Sequence, residues 1–200
     1  MGFDLTGLNP NNPNNAVQPS IDWSSNPTQE ETNKYFEKMD KYHTEVPGNY
    51  FRNNVWYWRP LWDFVCSTCY DILTEKDMEG GSFNDGHEIS KTKAIRIANR
   101  LKKMDKLGTL DKSEDTYKKQ KIHCDKHNKK IEKKMNNLKK EVVELTKDKN
   151  IAPKDYPRLY KKEWDRLYNQ KKWTSSYPFD AENVRAFIIF CENSGGFVIC

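Results

Sequence analysis

The chain has 200 residues, the length of about one ordinary domain. It carries 34 Lys/Arg against 29 Asp/Glu, and only 36% of its residues are hydrophobic, too few for a core spread evenly along it. No apolar run reaches the roughly 18 residues that span a bilayer, residues 1–20 have neither a basic start nor an apolar stretch, and 25 aromatic residues argue against disorder throughout; a membrane, exported or wholly unfolded chain is not expected.

Residues 1–7 (MGFDLTG) alternate apolar and polar and predict a short strand. The first six also match the M-G-x-x-x-[ST] myristoylation pattern, but the alternation explains them as a strand. The Asn/Pro-dense stretch 8–27 reads as a loop. Asn26 and Pro27 read as the cap and first position of a helix whose inner face carries Tyr35, Phe36, Met39 and Tyr42, up to Pro47-Gly48. In 50–64, seven of fifteen residues are aromatic. Residues 55–58 read as extended and Pro60 as the first turn of a helix burying Leu61, Phe64, Val65, Thr68 and Ile72. Gly80-Gly81 and Asn84-Asp85-Gly86 mark turns. Ala94, Ile97, Ala98, Leu101 and Met104 then define a helical face that ends before Gly108.

Residues 113–149 predict one long charged helix. Tyr117, Cys124, Ile131, Leu138 and Leu145 recur every seven residues, and Met135 and Val142 complete the seam in its second half. Residues 156–173 offer Leu159, Tyr160, Trp164, Leu167 and Tyr168 as a complementary stripe, so an antiparallel hairpin is expected; a homodimer through the heptad seam is the rival. Asp180 caps a last helix through Val184, Phe187, Ile188 and Cys191, which Gly195-Gly196 ends. Residues 197–200 are expected to pair as a strand, with the first strand as partner. The fold class is therefore mainly α with a small terminal β element (α+β). An aromatic-rich body of 1–110 and 174–200 is expected to carry a projecting Lys-rich helical hairpin, 111–173.

Charge follows this partition. Residues 1–90 are net −8, 91–149 net +11 and 150–200 net +2. The basic balance belongs to the helical arm, where it suits nucleic acid or an acidic protein, or is a solvated face.

Three constellations bear on chemistry. Cys66-x-x-Cys69 and Cys124-x-x-His127, with His123 adjacent, have the ligand count of a zinc site. Both pairs fall in expected helices rather than knuckle turns, and the heptad explains Cys124 without metal; no cofactor is expected. Five cysteines, an odd number, suit reduced thiols in a cytoplasm. Cys66 or Cys69 with His87 could form a thiol–imidazole pair only if folding brings them together, and no phosphate-binding, dinucleotide, metalloprotease, hydrolase or kinase signature occurs. The most unusual feature is the run Arg52, Asn53, Asn54, Trp56, Trp58 and Arg59. Aromatic faces can stack a base, guanidinium can fork onto phosphate, and amides can read an edge. Asn84, Asp85 and His87 are a candidate second wall. The other reading of the same residues is a Trp-rich core with arginines reaching solvent.

The segments MGFDLTGLNP, FRNNVWYWRPLW, NDGHEIS and CENSGGFVIC together resemble a family of small phage-encoded proteins of uncharacterised activity. They lie in the two ends of the chain, and the Lys-rich 105–175 stretch stands outside the resemblance as an insertion. The resemblance implies a virus-encoded accessory protein in a bacterial cytoplasm. Three functions follow as expectations. The first is a non-enzymatic body that binds a nucleotide-like or anionic ligand, for example sequestering a host signalling nucleotide against a defence system. The second is an interaction protein whose basic arm, 111–173, binds nucleic acid or an acidic host protein. The third is an enzyme acting on a nucleotide.

Overall fold

The structure is a computed structural model that describes residues 2–173 and 176–200. Met1 of the expected first strand and residues 174–175 of the expected body lie outside the described residues. The chain divides into two units, Met1–Glu114 with Tyr177–Cys200, and Asp115–Ser176.

The first unit is organised by a four-stranded antiparallel sheet. Its strands are β1 (Gly2–Gly7), β2 (Tyr50–Asn54), β3 (His87–Ser90) and β4 (Gly196–Ile199), in the order β2-β1-β4-β3. The expected pairing of the two ends is observed: Leu5 lies opposite Ile199, and Asp4 and Cys200 exchange backbone hydrogen bonds of 2.7 and 2.8 Å. Alternation sends Phe3, Leu5, Ile89, Phe197 and Ile199 to the inner face, while Thr6, Arg52 and Glu88 are exposed. Helices α2 (Val55–Thr68), α4 (Lys91–Lys106) and α7 (Ala181–Asn193) supply the rest of the core with Trp58, Leu61, Trp62, Ile97, Phe187 and Phe190 among others. Trp58 is fully buried and stacks at 5.3 Å on both Phe3 and Trp62. Its indole N–H donates to the Gly81 carbonyl at 2.8 Å, so the polar atom of this large side chain is satisfied.

Several boundaries differ from the sequence reading, each for a local reason. Helix α1 (Gln29–Glu45) starts after Thr28, not at Pro27, because Thr28 and Glu31 form a reciprocal capping box; Asn26 instead takes the left-handed conformation that closes a short 3-10 turn. Only Tyr42 of its expected inner face is buried, and Phe36 remains exposed beside Trp23. Residues 55–58 are helical rather than extended, because the Asn54 side chain accepts from the Trp56 and Tyr57 amides and starts α2 five residues before Pro60. Helix α3 (Glu75–Gly80) and β3 were not expected. The first is a single capped turn, and the second is a strand only by virtue of its pairing to β4.

In the second unit, α5 (Thr109–Thr146, its first turns in the first unit) lies antiparallel to α6 (Arg158–Asn169). Ile131, Met135 and Leu138 bury against Leu167, flanked by Tyr160 and Trp164. At one end Asn128 holds the Lys172 backbone with two hydrogen bonds of 2.9 Å, His127 Nε2 lies 2.8 Å from the Gln170 carbonyl oxygen, and Lys171 pairs with Glu132 at 2.8 Å. The apolar seam offered for a homodimer is thus occupied within the chain over these residues, while Leu145 and Leu159 are exposed.

Backbones approach closely where the ends of the first unit meet. A Cβ on Gly48 would overlap the Asn193 carbonyl and crowd the Ser194 amide, and one on Gly7 would overlap the Gly48 carbonyl. Gly48→Ala is therefore expected to destabilise the protein by about 1–3 kcal/mol, the usual cost of overpacking. Urea unfolding followed by circular dichroism measures this, with the exposed Lys41→Ala as a control expected to stay within about 0.5 kcal/mol.

Candidate functional site

The residues singled out in the sequence have separate placements. Trp58 is core. Asn53 is buried and donates to Asn183 at 3.0 Å, and Asn54 is spent on capping α2. Arg52 pairs with Asp4 at 3.5 Å, where Tyr50 also donates its hydroxyl to Asp4; burial and that hydrogen bond push the Tyr50 phenol up to about 12. Asn84 donates to the Gly2 carbonyl at 3.3 Å and Asp85 is exposed in its turn. His87 points to the inner side, toward Asp77.

Arg59 and Trp56 of the run share a surface with Tyr177. Arg59 donates to the Tyr177 hydroxyl at 2.8 Å and lies 5.4 Å from that ring's centroid, and Trp56, half exposed, packs on the same ring at 5.0 Å. Arg59 also lines a groove of about 270 Å³ with Trp58, Trp62, Asp63, Ser82 and the exposed Phe83. One guanidinium among aromatic walls can accept a small planar anion, although Asp63 shares the groove.

Sequence reading missed the buried charge cluster. Asp77, on α3, is 4% exposed. Its carboxylate accepts from Lys93 Nζ at 2.5 Å and from the Thr74 hydroxyl at 2.6 Å, and His87 Nε2 lies 3.2 Å away. Burial alone would raise its pKa, but the hydrogen bonds from Lys93, Thr74 and His87 outweigh it and hold the carboxyl well below the ordinary carboxylate range. The imidazole lies so close over Gly80 that a Cβ there would overlap its Cγ. The cluster ties α3, β3 and α4 together and turns both His87 and Asp77 inward. The only signal for it was the Thr74-x-x-Asp77 capping pattern.

Three of the thiols are shifted upward by burial. Burial, with Asp63 adding to it, pushes Cys66 up to about 12, and burial also raises Cys69 and Cys191. A thiolate is what nucleophilic attack or zinc ligation requires. Cys66 and Cys69 belong to the first unit and Cys124 and His127 to the second, and among the described residues no three His, Cys, Asp or Glu gather as metal ligands.

The strongest surface feature lies in the second unit. Residues 115–176 hold 19 Lys/Arg against 9 Asp/Glu, net +10, which leaves net −5 for the rest. At 3.6 residues per turn, Lys119, Lys126, Lys130, Lys133 and Lys140 fall within an arc of about 80° on α5, turned away from Ile131, Met135 and Leu138. All five are exposed, and among the described residues none is within ion-pairing distance of a carboxylate. The two acids between them in sequence, Asp125 and Glu132, lie off the stripe and are paired with Lys121 and Lys171. The stripe runs about 32 Å at 1.5 Å per residue. At its start a groove of about 460 Å³ is lined by Lys119, Gln120, His123, Cys124 and Lys172.

The Asp77 cluster makes a stability prediction. Asp77→Ala leaves Lys93 without its partner and is expected to cost about 3 kcal/mol, the low end for a broken buried pair because Lys93 keeps some solvent. Since the folded pKa is depressed, the carboxylate's contribution is full above the unfolded value of about 4 and is lost as pH falls through it toward the folded one. Wild-type stability is therefore expected to drop steeply below about pH 4, and that of Asp77→Ala less so, in urea titrations across pH 2–6. Comparison with protein-family models, with curated proteins and with solved structures found no match to this chain.

Proposed function

We propose that this is a non-enzymatic binding protein that engages nucleic acid through the lysine face of α5. The observation that carries it is a stripe of five lysines with no ion pair among the described residues, about 32 Å long, on the side of α5 away from its packed seam. Intramolecular pairing is the ordinary fate of charge on such a helix, and here the two acids between the lysines pair elsewhere, Asp125 with Lys121 and Glu132 with Lys171, while Asp115 and Glu144 flank the stripe at its two ends. The lysines are left to a partner of opposite charge, and the repeating charge of a phosphodiester backbone matches a linear array. The raised Cys66 and Cys69 thiols and the inward-turned His87 do not favour the thiol–imidazole pair as a catalytic site. The resemblance of the two chain ends to phage proteins supports a virus-encoded accessory role in a bacterial cytoplasm.

Binding of this kind is read by its salt dependence. With five phosphates neutralised, affinity for duplex DNA is expected to fall roughly 500-fold between 50 and 200 mM salt. The Lys126→Glu/Lys130→Glu/Lys133→Glu variant is expected to lose binding while keeping its helical circular dichroism. Fluorescence anisotropy with a labelled duplex measures both. No binding at 50 mM salt overturns the proposal, and equal binding of polyglutamate of the same charge reassigns the face to an acidic protein.

A second reading rests on the groove beside Arg59, whose guanidinium and exposed aromatic neighbours suit a small planar anion such as a nucleotide, which the protein would sequester. A thermal-shift screen against nucleotides and cyclic nucleotides is expected to raise the midpoint for a binder, and Arg59→Ala to abolish the rise. A flat screen removes this reading and leaves the lysine face untouched.

A further inference from the structure

The groove at the start of the lysine stripe differs from the stripe itself in drawing on two distant segments. Lys119 and His123, four apart, stand on one side of α5, and Gln120 and Cys124 stand one position further round. Cys124 is 5% exposed and forms a floor. Lys172 comes from the segment after α6 and is placed by backbone, not by its own side chain: its N–H donates to Asn128 Oδ1 and its carbonyl accepts from Asn128 Nδ2, both at 2.9 Å. Lys172 is thus held by its main chain, and it lines the same groove as Lys119. Among the described residues no carboxylate lines the groove, and neither Lys119 nor Lys172 makes an ion pair.

Two lysines, a histidine and a glutamine lining one shallow groove suit a compact anion of more than one charge. A phosphodiester carries a single charge, whereas a phosphate monoester carries about 1.5 to 2 at neutral pH and offers three acceptor oxygens. The volume of about 460 Å³ is in the range that holds a small ligand, more room than phosphate alone needs. Resting on the nucleic-acid reading above, we propose that this groove receives a terminal phosphate monoester of a nucleic acid strand, with Lys119 shared between the groove and the stripe that follows the diester backbone. The stripe supplies affinity for any strand, and the groove distinguishes phosphorylated ends from hydroxyl ends.

The test compares oligonucleotides of one sequence bearing a 5′-phosphate, a 3′-phosphate or hydroxyls at both ends, by anisotropy at low salt. Wild-type protein is expected to bind one or both phosphorylated strands about tenfold more tightly, the effect of an added charge-assisted contact. The two phosphorylated arms tell which end is read. Lys172→Ala, which leaves the backbone bonds to Asn128 in place, is expected to erase the preference while weakening the hydroxyl strand by less than about threefold. The exposed Lys154→Ala should keep the preference. Equal wild-type affinities for all three strands, or a preference that survives Lys172→Ala, overturn the groove assignment and leave the lysine face standing. If no strand binds, the nucleic-acid reading falls, and a titration with inorganic phosphate followed by the His123 ring signals in NMR decides the groove alone: a saturable shift that Lys172→Ala removes keeps an anion site there, and an unmoved signal overturns it.

Discussion

The pairing of β1 with β4 is the constraint on which the first unit depends. These are the two central strands, and each carries one edge strand, β2 on β1 and β3 on β4. Without that pairing the sheet would be two separate two-stranded ribbons, which are marginal in water. The turn before β4 is equally constrained. Gly195 has φ of +66°, and a Cβ on it would overlap the Asn9 carbonyl, so the chain leaving β1 and the chain entering β4 pack backbone to backbone. Hydrogen bonds from Leu8 to Gly196 and from Asn9 to Ser194 continue the contact past the ladder. Closing a unit through the far ends of the chain costs loop entropy that grows only with the logarithm of length, which is why residues 115–176 can be carried between them at modest cost.

Within that closed unit several charged side chains are matched to one another. Arg185 serves Asp105, Asp111 and Glu182, joining α4, the start of α5 and α7, and these partners raise its already high pKa. Arg100 makes a forked pair with Asp71 at 2.9 and 3.0 Å, Lys102 pairs with Glu192, and Lys93 with Asp77. Buried carboxylates must be matched, and Asp77 shows the cost of doing so: two basic side chains and a hydroxyl from three segments of chain are committed to one acid. Lys93, Arg100, Lys102 and Arg185 of the body are thereby drawn into its own structure. The second unit has the opposite economy, with more than twice as many bases as acids.

Much of this is legible in the sequence, and the exceptions share a cause. The terminal strands, the face of α4 and the seam of α5 were legible because each is a periodic pattern that stays within one segment: Phe3 and Leu5, Ala94 to Leu101, Ile131 to Leu138. The lysine stripe is legible in the same way, from helical spacing alone. What was missed needs a partner distant in sequence. His87 to Ser90 has no strand character until β4 lies beside it, and the Asp77 cluster joins residues 10 and 16 positions apart. Asn53 and Asn54 look alike in sequence, yet one is buried against Asn183 and the other caps a helix. The groove at Lys119 depends on a clamp between Asn128 and Lys172, 44 residues apart, for which no periodicity gives a sign.

The separation of charge by unit has a physical consequence for any anionic partner. Fields from exposed charges fade over about 8 Å at physiological ionic strength, so attraction depends on the charges at the contact and little on the net +5 of the whole chain. A protein with the same total charge mixed evenly over its surface would present each phosphate with a base and an acid at similar distances, and the two contributions would largely cancel. Here five lysines are gathered on one helical face with the intervening acids turned aside and neutralised, so the local charge density exceeds what the composition suggests. The same arrangement costs stability: lysines three, four and seven apart repel one another, by a few tenths of a kcal/mol for each close pair. The burial of Ile131, Met135 and Leu138 against Leu167, on the opposite side of α5, offsets that repulsion and lets the face persist. The apolar seam and the basic stripe are therefore two halves of one device, in which packing on one side of the helix sustains an otherwise unfavourable concentration of charge on the other.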